Sequence, residues 1–169
     1  MIKKIKKNNT KDNNNINNIN ENNINENKNI FLSFYLNKLI LKKGKFSKVD
    51  YLINNLYLIL SKKLRKDPIL IIKQAVLNVM PLFLIKNRKK VGKKKIVIMK
   101  PFFILNPFVR NLIGLKWIVE FSLKKSGVLL DNLIFEILEA FENKGSSKKK
   151  QQDLNLVVLQ NKSNLRFRW

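Results

Sequence analysis

Four carboxylates, Asp131, Glu136, Glu139 and Glu142, fall within twelve consecutive positions and are the residues of this chain best suited to catalysis. Glu136, Glu139 and Glu142 recur every three residues, a spacing that lets one helix face carry all three, and paired carboxylates can hold Mg²⁺ for phosphodiester hydrolysis. The remaining equipment is missing. The chain has no Cys and no His, which excludes disulfides, thiolate and imidazole metal ligands and the usual neutral-pH general base. The carboxylates also lie on one segment without a convergent second one, and such a row is ordinarily a solvated or lysine-paired face. The sequence therefore predicts no catalytic residue, no metal site and no cofactor.

The cations offer a different chemistry, contact with phosphate. Against 11 Asp and Glu stand 35 Lys and Arg, a formal net charge of +24 on 169 residues. Binding a polyanion relieves that self-repulsion and releases condensed counterions, so nucleic acid is the expected partner. Between Ile85 and Ile96, seven of ten residues are basic: Lys86, Arg88, Lys89, Lys90, Lys93, Lys94 and Lys95. Lysine outnumbers arginine there, which favours point-charge contact with the backbone over planar bidentate recognition. Lys149 and Lys150 are expected to open the last helix, where free backbone N–H groups also attract an anion. Arg166, Arg168 and Trp169 suit stacking on an unpaired base or packing on a ribose; the alternative is that Phe167 and Trp169 fold back on the core.

The elements that must position these residues follow from apolar spacing and punctuation. Met1 to Asn29 holds 13 Asn with scattered Ile and no sustained period, and reads as an extension outside the fold. Ile30 to Leu41 has helical spacing and Gly44 as its stop; Ser47 with Asp50 resembles a capping arrangement for a second helix to about Leu64. Asp67-Pro68 is an N-cap with proline at the first helical position, opening a third helix to Met80. Leu82 to Ile85 and Ile96 to Met99 are two β-favouring runs around the basic stretch, which predicts a protruding hairpin arm at about 82–99. Pro101 and Pro107 delay the fourth helix, expected from Pro107 to about Lys125. Its Trp117, Ile118, Val119 and Phe121 read as core, with Arg110 and Lys116 on the exposed side. Helix five is expected from Val128 to Asn143, stopping at Gly145, and helix six from Lys148 to Asn161. The fold class is all-α, about six helices with a basic β-hairpin arm between helices three and four.

Lys116-Trp117-Ile118-Val119-Glu120, then Glu142-Asn143-Lys144-Gly145, Lys149-Lys150, Asp153, Asn161-Lys162 and a terminal Arg168-Trp169, resemble in order and spacing the bacterial-type small-subunit ribosomal protein seven family. Gly44-Lys45 with Ser47, Asn78-Val79 with Pro81, and Val91-Gly92 add to the match, which runs from about Ile30 to Trp169. The resemblance implies a helical domain at 30–169 with its arm between helices three and four. It also implies binding to the 3′ major domain of small-subunit ribosomal RNA, organisation of head assembly, and a place near the mRNA exit path and exit-site tRNA among neighbouring small-subunit proteins. It brings Lys45, in the family's first loop, into the expected RNA-binding set.

Two other classes are weighed against this one. A general basic RNA-binding protein outside the ribosome accounts for the charge but not for the ordered motifs. A membrane-surface protein accounts for lysine-rich helices but leaves the basic hairpin unexplained. No uncharged apolar run approaches the roughly 18 to 20 residues of a spanning helix. The abundance of Lys, Asn and Ile suits a very AT-rich genome. The first 29 residues contain Asp12, Glu21 and Glu26 and no Arg, unlike a mitochondrial presequence. The expectation is a protein encoded and used in an organelle, a mitochondrion first, with a plastid or an AT-rich bacterium as alternatives.

Overall fold

A computed structural model describes residues 32–89 and 97–164. Helical apolar periods become buried stripes: α1 (32–40) buries Leu32, Leu36 and Ile40, and α2 (Phe46–Leu64) buries Val49, Ile53, Leu56 and Leu60. The chain continues through α3 (Pro68–Val79), β1 (Phe83–Lys89), β2 (Val97–Phe103), α4 (Pro107–Lys124), α5 (Leu129–Phe141) and α6 (Gly145–Gln160), and then a 3₁₀ turn at Lys162–Asn164. The described residues thus form six helices with one two-stranded antiparallel arm between α3 and α4, as the sequence predicts. The expected extension and the tip of the arm lie outside the described residues.

The core is centred on α5, which packs on α2, α3, α4 and α6. It supplies Leu133, Ile134, Ile137 and Ala140, facing Ile71, Ile72, Ala75, Val76 and Val79 of α3 and Leu115, Ile118 and Val119 of α4. Gly114 sets the distance between α3 and α4, because a Cβ there would come within 3.2 Å of the Met80 nitrogen and the Val76 carbonyl oxygen.

Side chains close several helix ends. Asp67 accepts from the Ile69 N–H at 3.1 Å, and Asn106 accepts from the Phe108 N–H at 2.9 Å; each precedes a proline at the first helical position. Asn132 donates to the Lys125 and Ser126 carbonyls at 3.1 and 3.3 Å, satisfying acceptors that the end of α4 leaves free.

Four boundaries differ from expectation. Helix α2 begins at Phe46, so Ser47 lies inside it and makes no cap; its N-cap position is Lys45, without a side-chain hydrogen bond. Strand β2 runs on through Pro101 to Phe103, paired from Phe83↔Phe103 to Lys89↔Val97. Proline ends central strands by removing a ladder donor, but a two-stranded ribbon has an outer edge on each strand where a missing N–H is tolerated. Helix α5 ends at Phe141, and Asn143 at φ 61° takes the left-handed position after it; the Lys144 N–H donates to the Glu139 carbonyl at 2.7 Å. Gly145 consequently opens α6 instead of closing α5, three residues earlier than Lys148.

Candidate nucleic-acid interface

Strand pairing organises the arm's charge. Successive side chains on a strand alternate faces, so Lys86 and Lys100, paired directly, share one face with the Leu84–Phe102 pair nearer the core. Like charges placed opposite one another across a ladder repel, and no acid pairs with either lysine among the described residues. An anion laid against that face would relieve the repulsion. Arg88 and Lys89 occupy the outer end of β1, opposite Ile98 and Val97. Lys90, Lys93, Lys94 and Lys95 lie outside the described residues, as do Arg166, Arg168 and Trp169. Lys100 lies one residue past the β-favouring run expected to end at Met99, and the register places it opposite Lys86.

The remaining expected contacts divide. Lys45, Lys116 and Lys149 are exposed and make no ion pair among the described residues. Lys42, Lys43 and Lys48 join Lys45 on the exposed surface around Gly44, a cluster that its own local density could have revealed. Arg110 is half-buried instead of exposed: its Cζ lies 5.8 Å from the Phe103 ring centre at the base of the arm.

Lys149 and Lys150 do not open α6. They follow Gly145, Ser146, Ser147 and Lys148, past the free N–H groups of the first turn. Lys150 is taken up by α4: its Nζ is 3.1 Å from Glu120 Oε2, 5.1 Å from the Trp117 ring centre and 5.3 Å from that of Phe121. Glu120 also pairs with Lys124 at 2.7 Å, and hydrogen bonds from Lys124 and then Lys150 hold its carboxyl below the usual range. Lys148 Nζ donates to the Asn78 carbonyl at 2.7 Å, and Gln151 donates to the Met80 carbonyl at 3.0 Å, so this part of α6 caps α3.

The carboxylate row is split. Six residues advance a helix by about one and two-thirds turns, which sets Glu136 and Glu142 about 120° apart, and Glu142 lies just past the end of α5. The Glu136 side chain is fully buried, accepting from Ser147 Oγ at 3.0 Å and paired with Lys125 at 2.8 Å, whereas that of Glu142 is 62% exposed. Lys125 also reaches Glu139 at 3.7 Å. Among the described residues no three His, Cys, Asp or Glu side chains gather to hold a metal ion. Trp117, Ile118 and Val119 are buried, as expected of core; Phe121 is half-buried.

The model of the family described as ribosomal protein S7p/S5e matches residues 6–162. The chain belongs to the ribosomal protein S7 family. Among its S7 relatives, the small ribosomal subunit protein uS7 of Heliobacterium modesticaldum is 30% identical over 131 residues, 77% of this chain and 81% of that protein. Proteins of the same name from Caldanaerobacter subterraneus subsp. tengcongensis and Desulfitobacterium hafniense are 31% and 30% identical, covering 79% and 84% of this chain and 83% and 88% of theirs. The S7 match includes the arm and the α4–α6 seam. No helix among the described residues is long and apolar enough to cross a membrane.

Proposed function

We propose that this chain is a structural constituent of the small ribosomal subunit, binding the 3′ major domain of small-subunit ribosomal RNA and organising the head. Its family carries this reading: a match over residues 6–162 and relatives that are themselves small ribosomal subunit proteins. The mechanism is charge neutralisation together with shape. The helical core presents Lys45, Lys116 and Lys149 outward, while the ribbon carries Lys86 and Lys100 away from it, so that RNA backbone bridges cations that otherwise repel. By family likeness the arm and the C-terminal Arg166, Arg168 and Trp169 reach toward exiting mRNA and exit-site tRNA. Lys86, Arg88, Lys89, Lys90, Lys93, Lys94 and Lys95 supply phosphate contacts along the arm. Residues 30–169 form the domain and 1–29 an extension of it. The AT-rich composition and Asn-rich extension support a mitochondrial ribosome as the place of action, with a plastid as the alternative.

Crosslinking of the chain to RNA in its native cell, with organelle fractionation of the same lysate, tests this. Expected are crosslinks concentrated in the 3′ major domain of an organellar small-subunit RNA. Crosslinks scattered over unrelated RNAs would leave only a general basic RNA-binding domain.

A further inference from the structure

The corner between α1 and α2 leaves two aromatic side chains outside the core, Phe34 at 60% and Phe46 at 65% exposure. Both line a cleft of about 300 Å³, together with Leu41, Val49, Asn37 and Asp50. Asn37 Nδ2 donates to Asp50 Oδ1 at 3.3 Å, which orients the amide. Its Oδ1 is closed to solvent, so the amide braces the wall of the cleft and leaves the rings as the surface an occupant meets. Lys38 also lines the cleft, and Lys42, Lys43 and Lys45 lie in the turn that joins its two helices; all four are exposed and form no ion pair among the described residues.

The rings and the cations select an occupant together. Exposed phenylalanine rings beside free cations are the pairing that binds an unstacked base and its flanking phosphates. The volume lies at the low end of ligand pockets, roughly 300 to 1,000 Å³, so it suits one planar ring system and not the edge of a duplex. A purely apolar protein segment would fill the cleft but leave the surrounding lysines without counter-charge. We propose that the α1–α2 cleft takes one unpaired base of the bound RNA. Phe34 and Phe46 supply the stacking surface, and the lysines hold the adjoining phosphates. The site rests on the RNA-binding reading above and adds a base-stacking contact to a protein otherwise held by backbone charge.

The full chain is titrated with the small-subunit RNA recovered with it, at several salt concentrations, as wild type and as the Phe34→Ala/Phe46→Ala double variant. Removing the stacking surface while keeping every charge should lower affinity roughly 5- to 150-fold and leave the salt slope and the melting temperature in place. Equal affinity would overturn the proposal. In parallel, Phe46→p-benzoylphenylalanine is irradiated in the assembled particle. A crosslink to one RNA position supports the site; a crosslink to a neighbouring protein or to residues 1–31 of this chain overturns it, and so does none at all. Wild type that fails to bind this RNA removes the ribosomal reading and this one with it, whereas wild type that binds normally beside an unaffected variant removes only the cleft.

Discussion

The side-chain amide of Asn78, near the end of α3, donates to the carbonyl oxygen of Phe141, the last residue of α5, at 2.9 Å. It also donates to that of Ala140 at 3.0 Å, while its Oδ1 accepts from Gln74 at 3.0 Å. One residue thereby closes a helix from which it is separated by more than sixty positions, and its own carbonyl is closed in turn by Lys148 of α6. Three helix ends are tied at a point from which the arm departs.

Asn78→Ala should remove both donors and leave part-buried carbonyls unsatisfied, at a cost of about 1 to 3 kcal/mol. Asn78→Asp should cost at least as much, since a carboxylate would face two carbonyl oxygens. Urea unfolding followed by circular dichroism measures both; wild-type midpoints would show that water serves those carbonyls equally well.

Gly145 and Gly44 both hold left-handed φ angles, +88° and +68°, yet alanine should be tolerated unequally. At Gly44 a Cβ meets nothing within 4 Å, so Gly44→Ala costs the backbone strain alone, about 1 to 2 kcal/mol. At Gly145 it would lie 2.8 Å from Glu139 Cβ and Oε2, in the carboxylate that reaches Lys125. Strain and overpacking together put Gly145→Ala at about 2 to 4 kcal/mol. Comparable melting temperatures for the two variants would contradict this account of the α5–α6 turn.

Legibility in the sequence tracks how local the deciding interaction is. Asp67-Pro68 announces the start of α3 because a cap and a fixed φ act within two residues. The hairpin is visible as two β-favouring runs around a charged stretch, but its length is not, because whether Pro101 ends a strand depends on which edge it occupies. Lys100 is hidden with that boundary. Gly145 resembles a stop because glycine commonly follows helices; here Asn143 adopts the left-handed turn, and the approach of Glu139 keeps Gly145 small. The fate of Lys150 depends on the α4–α6 packing, which no spacing along α6 announces.

The arm yields a prediction with two readouts of opposite character. Lys86→Ala/Lys100→Ala removes a like-charged cross-strand pair, so the free protein should be as stable as wild type or slightly more so. RNA binding should weaken, and the logarithmic salt slope should flatten by about one unit for each phosphate that is no longer neutralised. An unchanged slope in a filter-binding titration would remove this face of the ribbon from the interface.

Glu120 gives the fold a pH dependence. Its folded carboxyl titrates below the ordinary glutamate value, chiefly through the hydrogen bond from Lys124 and then that from Lys150. A depressed acid binds its proton more weakly folded than unfolded. Its contribution is therefore complete above the unfolded value, about pH 4.3, and lost as pH falls through the lower folded one. Glu120→Gln should lower the melting temperature at pH 7 and reduce its further fall between about pH 5 and pH 3. Because the side chain is 35% exposed, salt should weaken the effect. Parallel melting curves for wild type and variant across that range would mean that the carboxylate is not held by the two lysines.

Lys149 and Lys150 are adjacent in sequence and should separate cleanly in experiment. Lys150 is ion-paired to Glu120 and lies over Trp117 and Phe121, so Lys150→Ala removes a link between α6 and α4. The loss should be about 1 kcal/mol, the sum of a partly exposed ion pair and a modest cation–π interaction. Because that charge is already directed at Glu120, the salt slope of RNA binding should change little. Lys149 is exposed with no ion pair among the described residues, so Lys149→Ala should leave stability within about 0.5 kcal/mol and flatten the slope. Thermal denaturation and binding at four salt concentrations resolve the pair. If Lys150→Ala flattened the slope as much as Lys149→Ala, the Glu120 ion pair would have to open on the RNA, and the α4–α6 seam would belong to the interface instead of supporting it.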